Sequence, residues 1–300
     1  MAETQWRAYA YYPSAGGATV MALLFLVGTL IQIYQLIRTR AWLTIPIIIG
    51  GLCTSTPQQY RAMANLTVET TGYIGRIMSA RQSPDWTTGP YIMQSTTLLI
   101  APALFAATIY MVLGRIIALV QGEPHCLLRL PWLTKIFVVG DVISFLMQSA
   151  GAGIMVQSHS TTDRTGEHVI IGGLLVQIGF FCFFIVVAVL FQRRIDRFPT
   201  PRAVSVSPPI PWRKHLFALY VTSFLILVRS VERFVEYAQG QEGGLISHEV
   251  YLFVFDGVPM LLVLVILVRV HPSEMNALLG RGRVAATKTG LSFRDVSPVV

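Results

Sequence analysis

Charged residues are scarce in this chain of 300 amino acids. They make up 13% of the sequence, against roughly 25% in a typical soluble domain, whereas 53% of the residues are hydrophobic. So few charged side chains leave too little polar surface to cover a soluble globule of this size. The same balance excludes an intrinsically disordered chain, which combines low hydrophobicity with high net charge.

Residues for covalent or metal chemistry are also scarce. The three cysteines, Cys53, Cys126 and Cys182, are an odd number with no close pair, which argues against a disulfide framework. The six histidines lie apart, without the spacing of metal ligands. The chain contains no Walker, HExxH, CxxC or GxSxG motif. We therefore expect a protein that is not an enzyme and that has no metal site and no cofactor.

Apolar residues, by contrast, collect in blocks of about twenty. A helix of that length rises ~1.5 Å per residue and crosses the ~30 Å hydrocarbon core of a bilayer. We therefore predict an all-α fold, a polytopic membrane protein built as a bundle of seven transmembrane helices. The predicted spans are Ala15–Ile37, Trp42–Met78, Ile92–Leu113, Ile136–Val156, Val169–Phe191, Leu216–Tyr237 and Val250–Val268.

The basic residues predict how these spans are oriented. Sixteen lysines and arginines fall in one set of loops and four in the other, and the richer set faces the cytoplasm under the positive-inside rule. This rule makes residues 1–14 an extracellular N-terminus and residues 15–270 the membrane domain. Residues 271–300 are polar, and we predict that they form a disordered cytoplasmic tail.

Four charged residues inside the sixth predicted span share one helical face. Arg229, Glu232, Arg233 and Glu236 have the spacing i, i+3, i+4 and i+7. Because a charge at mid-bilayer costs about 2.5–3.5 kcal/mol, this face should look into the bundle or a wet cavity. Arg229 and Asp256 both lie about 9–10 Å below the outer boundary at ~1.5 Å per residue, so adjacent helices could pair them.

Two further acids fall within predicted spans. Glu69 lies in the outer half of the second span, whereas Asp141 is about 8 Å from the inner end of the fourth. The sequence thus predicts an outer charged cluster and a separate inner acid. Two interpretations stay open: buried ion pairs that lock helices in register, or a polar path for a substrate. For Asp141 the alternative is a hydrogen bond to a neighbouring helix.

Prolines and small residues mark special points in the spans. Pro46, Pro102 and Pro259 each remove a backbone hydrogen bond, which predicts a kink or a hinge unless packing simply tolerates the ring. The segment Ser149–Gly153 is a patch of small residues that permits close approach of a neighbouring helix.

Several longer motifs occur in order along the chain. They are Tyr12–Ser14, Gly72–Arg76, Gly89–Gln94, Leu99–Ala107, Phe137–Asp141, Arg229–Ser230, Glu236–Tyr237, Phe255–Asp256 and His271–Pro272. Through these motifs the chain, from about Tyr12 to Pro272, resembles the fungal RTA1-like proteins, also called the lipid-translocating exporter family.

The resemblance implies a seven-helix protein, most often of the plasma membrane, that confers resistance to membrane-active compounds. Members are associated with outward movement of sphingoid long-chain bases or phospholipids. The implied partners are membrane lipids or amphiphilic small molecules, and no nucleic acid is expected. The family's polar positions, which we predict to line a substrate path, are Glu69, Arg76, Asp141, Arg229, Arg233, Glu236 and Asp256.

We therefore expect a lipid or amphiphile translocator or exporter. In that role Arg229 and Arg233 would meet a phosphate or other anion, and Glu69, Glu236 and Asp256 would meet an amine or balance the arginines. The alternative is a seven-helix stress sensor or receptor that acts through a signalling pathway.

The chain departs from the family pattern in two places. Glu232 stands where the family usually has an aromatic residue. The segment Cys53–Val68 is an atypical polar insert that carries Pro57 and Arg61 and would break a transmembrane helix. We hypothesise that it is a translated retained intron or a gene-model error, an idea that fails if every transcript read contains these codons.

Overall fold

The structure is a computed structural model, and it describes nine stretches of the chain. These are residues 14–38, 58–82, 87–157, 164–202, 212–239, 249–270, 273–279, 284–286 and 293–295. Helices dominate them, which confirms the all-α class.

Six long helices make up most of the described chain. They are α1 (Ala15–Arg38), α2 (Gln58–Arg81), α3 (Thr88–Leu119), α4 (Leu130–Gln157), α5 (Thr165–Arg197) and α6 (Trp212–Gln239). A 3₁₀ turn at Glu123–His125 lies between α3 and α4. A seventh helical segment, residues 249–269, follows α6. It consists of α7 (Glu249–Tyr251), a π-helical turn (Leu252–Gly257) and α8 (Val258–Arg269).

Five of these helices, α1, α3, α4, α5 and α6, are long and apolar enough to cross a membrane. Their outward faces are strongly apolar, as shown by the exposed side chains of Val20, Leu146, Phe217 and Phe224. Water would not favour such a surface, whereas lipid tails do. The chain is therefore a multi-pass membrane protein. Seven crossings and the orientation of the ends remain predictions, because α2 is polar and the π-helical turn interrupts residues 249–269.

Neighbours in the sequence pack together along much of the bundle. α1 packs against α2, α2 against α3, and α4 against α5, whereas α6 contacts α3, α5 and α8. The core between α3, α4 and α5 is aromatic: the ring of Tyr110 lies 5.2 Å from Phe137 and 4.6 Å from Phe184. α6 therefore contacts three other helices, and these contacts position its charged residues.

Glycine brings α4 and α5 into close contact. A Cβ on Gly151 would lie 2.7 Å from the carbonyl oxygen of Gly166, and one on Gly173 would lie 2.9 Å from that of Ser144. No larger residue fits such distances without moving the backbone. The predicted role of the small-residue patch Ser149–Gly153 is thus confirmed at Gly151.

Two regions differ in detail from the sequence-based expectation. The part of the insert that the structure describes, residues 58–68, is helical and runs without a break into the rest of α2. Residues 42–57, with Pro46 and Pro57, lie outside the described residues. The expected interruption of a helix is therefore absent from residues 58–68.

The tail, for which we predicted disorder, contains short elements. A helix, α9 (Ser273–Leu278), is followed by two antiparallel strands, β1 (Val284–Ala286) and β2 (Phe293–Asp295), paired in the register Ala285 to Arg294. Met275 and Leu278 are buried, so burial of apolar side chains fixes α9 on the bundle.

Candidate functional site

The charged face of α6 meets the π-helical turn inside the bundle. The Nε–H of Arg229 donates to Oδ1 of Asp256, and a guanidinium N–H of Arg233 donates to the other carboxylate oxygen at 2.9 Å. The side chain of Asp256 is 2% exposed and that of Arg229 is 4% exposed. The predicted pairing of Arg229 with Asp256 is therefore observed.

Arg229 has a second partner, a backbone carbonyl oxygen that a proline leaves available. Its Nη2–H donates to the backbone carbonyl oxygen of Leu98 at 2.5 Å. Within α3, the residue four positions later is Pro102, which has no N–H to offer that carbonyl. The carbonyl of Leu98 is thus left available and accepts a hydrogen bond from the buried Arg229.

The π-helical turn places Asp256. Val258 donates its backbone N–H to the carbonyl of Phe253, five residues earlier. The next residue, Pro259, cannot donate to Phe255 and its ring would crowd that carbonyl. A local widening to π geometry relieves the conflict, as is common at functional sites.

α2 contributes a second row of polar side chains to the same place. Glu69, Tyr73 and Arg76 follow the spacing i, i+4 and i+7 and are all buried. The hydroxyl of Tyr73 lies 2.7 Å from the position that a Cβ on Gly257 would take, so it points at the π-helical turn. The guanidinium of Arg76 stands 5.4 Å above the ring of Phe253 in that turn.

These residues form one unit, which we call the charged cluster: Glu69, Tyr73, Arg76, Arg229, Glu232, Arg233, Glu236 and Asp256. Burial falls along it from Asp256 towards Arg233, which is 12% exposed, and Glu236, which is 20% exposed. Arg233 donates to Glu236 at 2.9 Å. The cluster therefore has a closed end at Asp256 and a more open end near Glu236.

Both α6 arginines are ion-paired within the cluster, although the Nε–H of Arg233 has no hydrogen-bond partner among the described residues. Several acceptors of the cluster also lack a partner. Arg229 and Arg233 bind Asp256, Glu236 and the Leu98 carbonyl. Within the described part of the chain, Oε1 of Glu69 and Oε2 of Glu232 have no hydrogen-bond partner, and neither does the hydroxyl of Tyr73. Because a buried polar atom without a partner is costly, these oxygens are suited to a ligand that donates hydrogen bonds.

Asp141 lies apart from the charged cluster, in the packing between α3, α4 and α5. It is 4% exposed, and neither of its carboxyl oxygens is bonded among the residues that the structure describes. The buried hydroxyl of Tyr110 is its polar neighbour across the interface with α3. Along the same face of α4, Gln148 donates to Gln177 of α5 at 3.0 Å. Asp141 is thus separate from the charged cluster, and its place on the inner side of the membrane stays a prediction.

The structure also uses groups that sequence reasoning did not select. Tyr73 could have been found by its spacing of four from Glu69, and Gln177 as a single amide within an apolar span. The only feature of the sequence that points to the carbonyl of Leu98 is Pro102, four residues later. No group of three metal-ligating side chains occurs within the described stretches.

Comparisons with known proteins agree with the motifs in the sequence. The family model described as RTA1 like protein matches residues 62–277. The chain is 35% identical to Protein RTA1 of Saccharomyces cerevisiae over 288 residues, which cover 91% of this chain and 87% of the relative. No solved structure is significantly similar to the chain.

Two other relatives from Saccharomyces cerevisiae carry more descriptive names. Protoporphyrin uptake protein 1 is 45% identical over 201 residues, covering 66% of this chain and 63% of the relative. Sphingoid long-chain base transporter RSB1 is 27% identical over 274 residues, covering 81% of this chain and 67% of the relative.

Proposed function

The chain belongs to the RTA1-like family, and we propose that it is a membrane transporter for amphiphiles that carry a cationic headgroup on a long apolar tail. Sphingoid long-chain bases are the substrate class that fits this description best. The proposed direction is export across a plasma membrane, through seven spans with the N-terminus outside, and no bond of the substrate is made or broken.

The observation that carries this proposal is the pattern of occupied and unoccupied groups in the charged cluster. Glu69 and Glu232 keep carboxyl oxygens without partners in the described structure, and Tyr73 keeps its hydroxyl. A protonated amine with neighbouring hydroxyls supplies the hydrogen-bond donors that these oxygens lack. The cost of holding a charge inside the membrane is lowered for a headgroup that finds carboxylates there.

The same pattern argues against an anionic headgroup at this cluster. A carboxylate or phosphate would need a guanidinium charge that is not already paired, but Arg229 is ion-paired with Asp256, and Arg233 is ion-paired with Asp256 and Glu236. This reasoning favours the sphingoid-base relative over the protoporphyrin relative as a guide to the substrate. It also changes the expected role of the two α6 arginines, which balance carboxylates rather than meet the headgroup.

The arrangement supports a path for a headgroup whose tail stays in lipid. The headgroup would enter at the more open end near Glu236 and reach Glu69 beside α2, while the apolar faces of α6 and residues 249–269 remain against lipid tails. Asp141 would form a second polar site for the headgroup, on the inner side of the bundle.

The proposal is tested with purified protein in liposomes. Transbilayer movement of a fluorescent sphingoid base is expected to exceed that in empty liposomes, and that of fluorescent phosphatidylcholine is not. Glu69→Gln removes a cluster acid without touching the Arg229–Asp256 pair, and it should reduce base movement about tenfold or more, since a charge-assisted contact is lost.

The matched control is Asp196→Asn, an acid at the surface where it pairs with Arg213 at 3.0 Å. This variant should move the base at the wild-type rate. Equal flux of base in wild type, Glu69→Gln and empty liposomes would defeat the proposal and favour a sensor that protects cells only through other proteins.

A further inference from the structure

A basic cavity lies at the carboxy-terminal end of α5. None of the residues that line it belongs to the charged cluster. Its volume is about 450 Å³, within the range of sites that hold small molecules. The residues that line it are Pro124, His125, Leu190, Arg193, Arg194, Arg197 and Phe198. Three arginines thus converge on one cavity whose other walls are largely apolar.

The three arginines are available to a ligand. Within the described chain, none of Arg193, Arg194 and Arg197 forms an ion pair with an acid. The nearby acid on the same helix, Asp196, is held by Arg213 of α6. One guanidinium N–H of Arg194 donates to the backbone carbonyl of His125 at 3.4 Å, which ties α5 to the 3₁₀ turn.

The predicted end of the fifth span places the cavity among the lipid headgroups. The predicted fifth span ends at Phe191, and Arg193–Arg197 follow it by about 3–9 Å along the helix at ~1.5 Å per residue. The polar zone on each side of the hydrocarbon is about 5–8 Å thick. Arg193 and Arg194 therefore fall within that zone, and Arg197 lies at its aqueous edge. Leu190 lies on its hydrocarbon side, and Phe198, which is 66% exposed, lies at its outer side.

We propose that this cavity binds the phosphate-bearing headgroup of an anionic membrane lipid, with Arg193, Arg194 and Arg197 as its ligands. Guanidinium groups match phosphate oxygens in geometry and charge, and Leu190, on the hydrocarbon side, supplies an apolar border for the start of the acyl chains. Under the predicted orientation this is the cytoplasmic leaflet, where anionic lipids are concentrated. The site is separate from the transport path, so it does not depend on the proposed substrate.

The experiment titrates short-chain phosphatidylinositol 4-phosphate into the detergent-solubilised full chain and counts bound lipid by native mass spectrometry. Phosphatidylcholine and inositol 1,4-bisphosphate are run in parallel, the first as a zwitterionic lipid and the second as a phosphate headgroup without tails. The wild type is expected to bind the phosphoinositide in preference to both.

Two triple variants separate the cavity from general surface charge. The cavity triple is Arg193→Gln, Arg194→Gln and Arg197→Gln. The control triple is Arg129→Gln, Lys135→Gln and Arg269→Gln, which removes the same charge from exposed positions on the predicted cytoplasmic side and leaves Arg213 paired with Asp196. The cavity triple should bind the phosphoinositide about tenfold more weakly than the control triple does, with both eluting as single species from a sizing column.

A further variant, Leu190→Ser, tests the apolar border. It should weaken binding of the lipid but leave binding of the soluble headgroup unchanged. The proposal is overturned if the wild type shows no preference for the phosphoinositide, or if both triples lose affinity equally. It is likewise overturned if the soluble headgroup competes at the same concentration as the lipid, which would make the ligand a free phosphate compound.

Discussion

At the scale of single residues, Asp256 is the point on which the charged cluster depends. It accepts hydrogen bonds from both Arg229 and Arg233 while being 2% exposed. A buried ion pair adds little net stability when intact, but removing one partner leaves the other charge buried without compensation. The contribution of Asp256 is therefore visible only when it is removed.

Asp256→Asn should lower the free energy of unfolding by about 3–5 kcal/mol, the usual cost of breaking a buried pair. The measurement is the thermal stability of the detergent-solubilised protein. Asp196→Asn breaks only an exposed pair and should cost about 0–1 kcal/mol. Similar losses in the two variants would contradict the burial of the pair.

The two interpretations of the cluster can be separated at this scale as well. The double variant Arg229→Met with Asp256→Leu replaces the pair by apolar side chains, which often preserves stability. A folded double variant that still moves the sphingoid base would show that the pair only locks helices. Loss of movement with stability kept would place the pair in substrate handling.

At the scale of helices, proline and glycine decide how the elements fit. Pro102 frees the Leu98 carbonyl for Arg229, and Pro259 accompanies the π-helical turn that carries Asp256. In both cases a proline, which lacks a backbone N–H, alters the hydrogen bonding of its helix at the point where the helix meets the site. Glycine acts differently, by letting two helix backbones approach.

Gly151→Leu should disrupt the contact between α4 and α5, because a Cβ there already lies 2.7 Å from a backbone oxygen. Overpacking of this kind costs about 1–3 kcal/mol, or more where backbone must move. The thermal stability of the purified variant measures the effect. Gly153→Leu is the matched control: nothing lies within 4 Å of its Cβ position, so its stability should match the wild type.

At the scale of the whole molecule, the open question is the number of crossings. Five helices meet the length and apolarity needed to span a membrane. The polar helix α2 and the π-containing segment 249–269 carry the charged cluster between them. Because a charge facing lipid is expensive, these two segments can cross only by pairing their polar residues with α6, as the structure shows for Asp256.

Cysteine labelling distinguishes seven crossings from five. The three native cysteines are first replaced by serine, so that only introduced cysteines are labelled. The native Cys126 would be a poor reporter, because burial raises the pKa of its thiol and slows its reaction with maleimides. Single cysteines are then placed at two exposed positions, Ser14→Cys before α1 and Arg129→Cys between α3 and α4.

With seven crossings, an impermeant maleimide on intact cells should label the cysteine at 14 and spare the one at 129. With only the five apolar helices crossing, both positions lie on the same side and should behave alike. Labelling of both cysteines after detergent treatment is the control for their reactivity.

Sequence alone determined the membrane class and much of the charged cluster. Composition and the length of apolar blocks required transmembrane helices, and spacing placed Arg229, Glu232, Arg233 and Glu236 on one face. Equal depth even indicated the partner Asp256, because rise per residue is constant along a helix. These are properties of one helix in a layered solvent, and they need no knowledge of neighbouring helices.

Tertiary structure decided what each of those side chains touches. It paired Arg229 and Arg233 with Asp256 inside the bundle, aimed Tyr73 at Gly257, and placed Asp141 beside Tyr110, apart from the charged cluster. It also placed three arginines along the wall of one cavity at the end of α5. Periodicity defines a face but not the neighbour that the face meets, since that neighbour depends on packing between residues far apart in the chain.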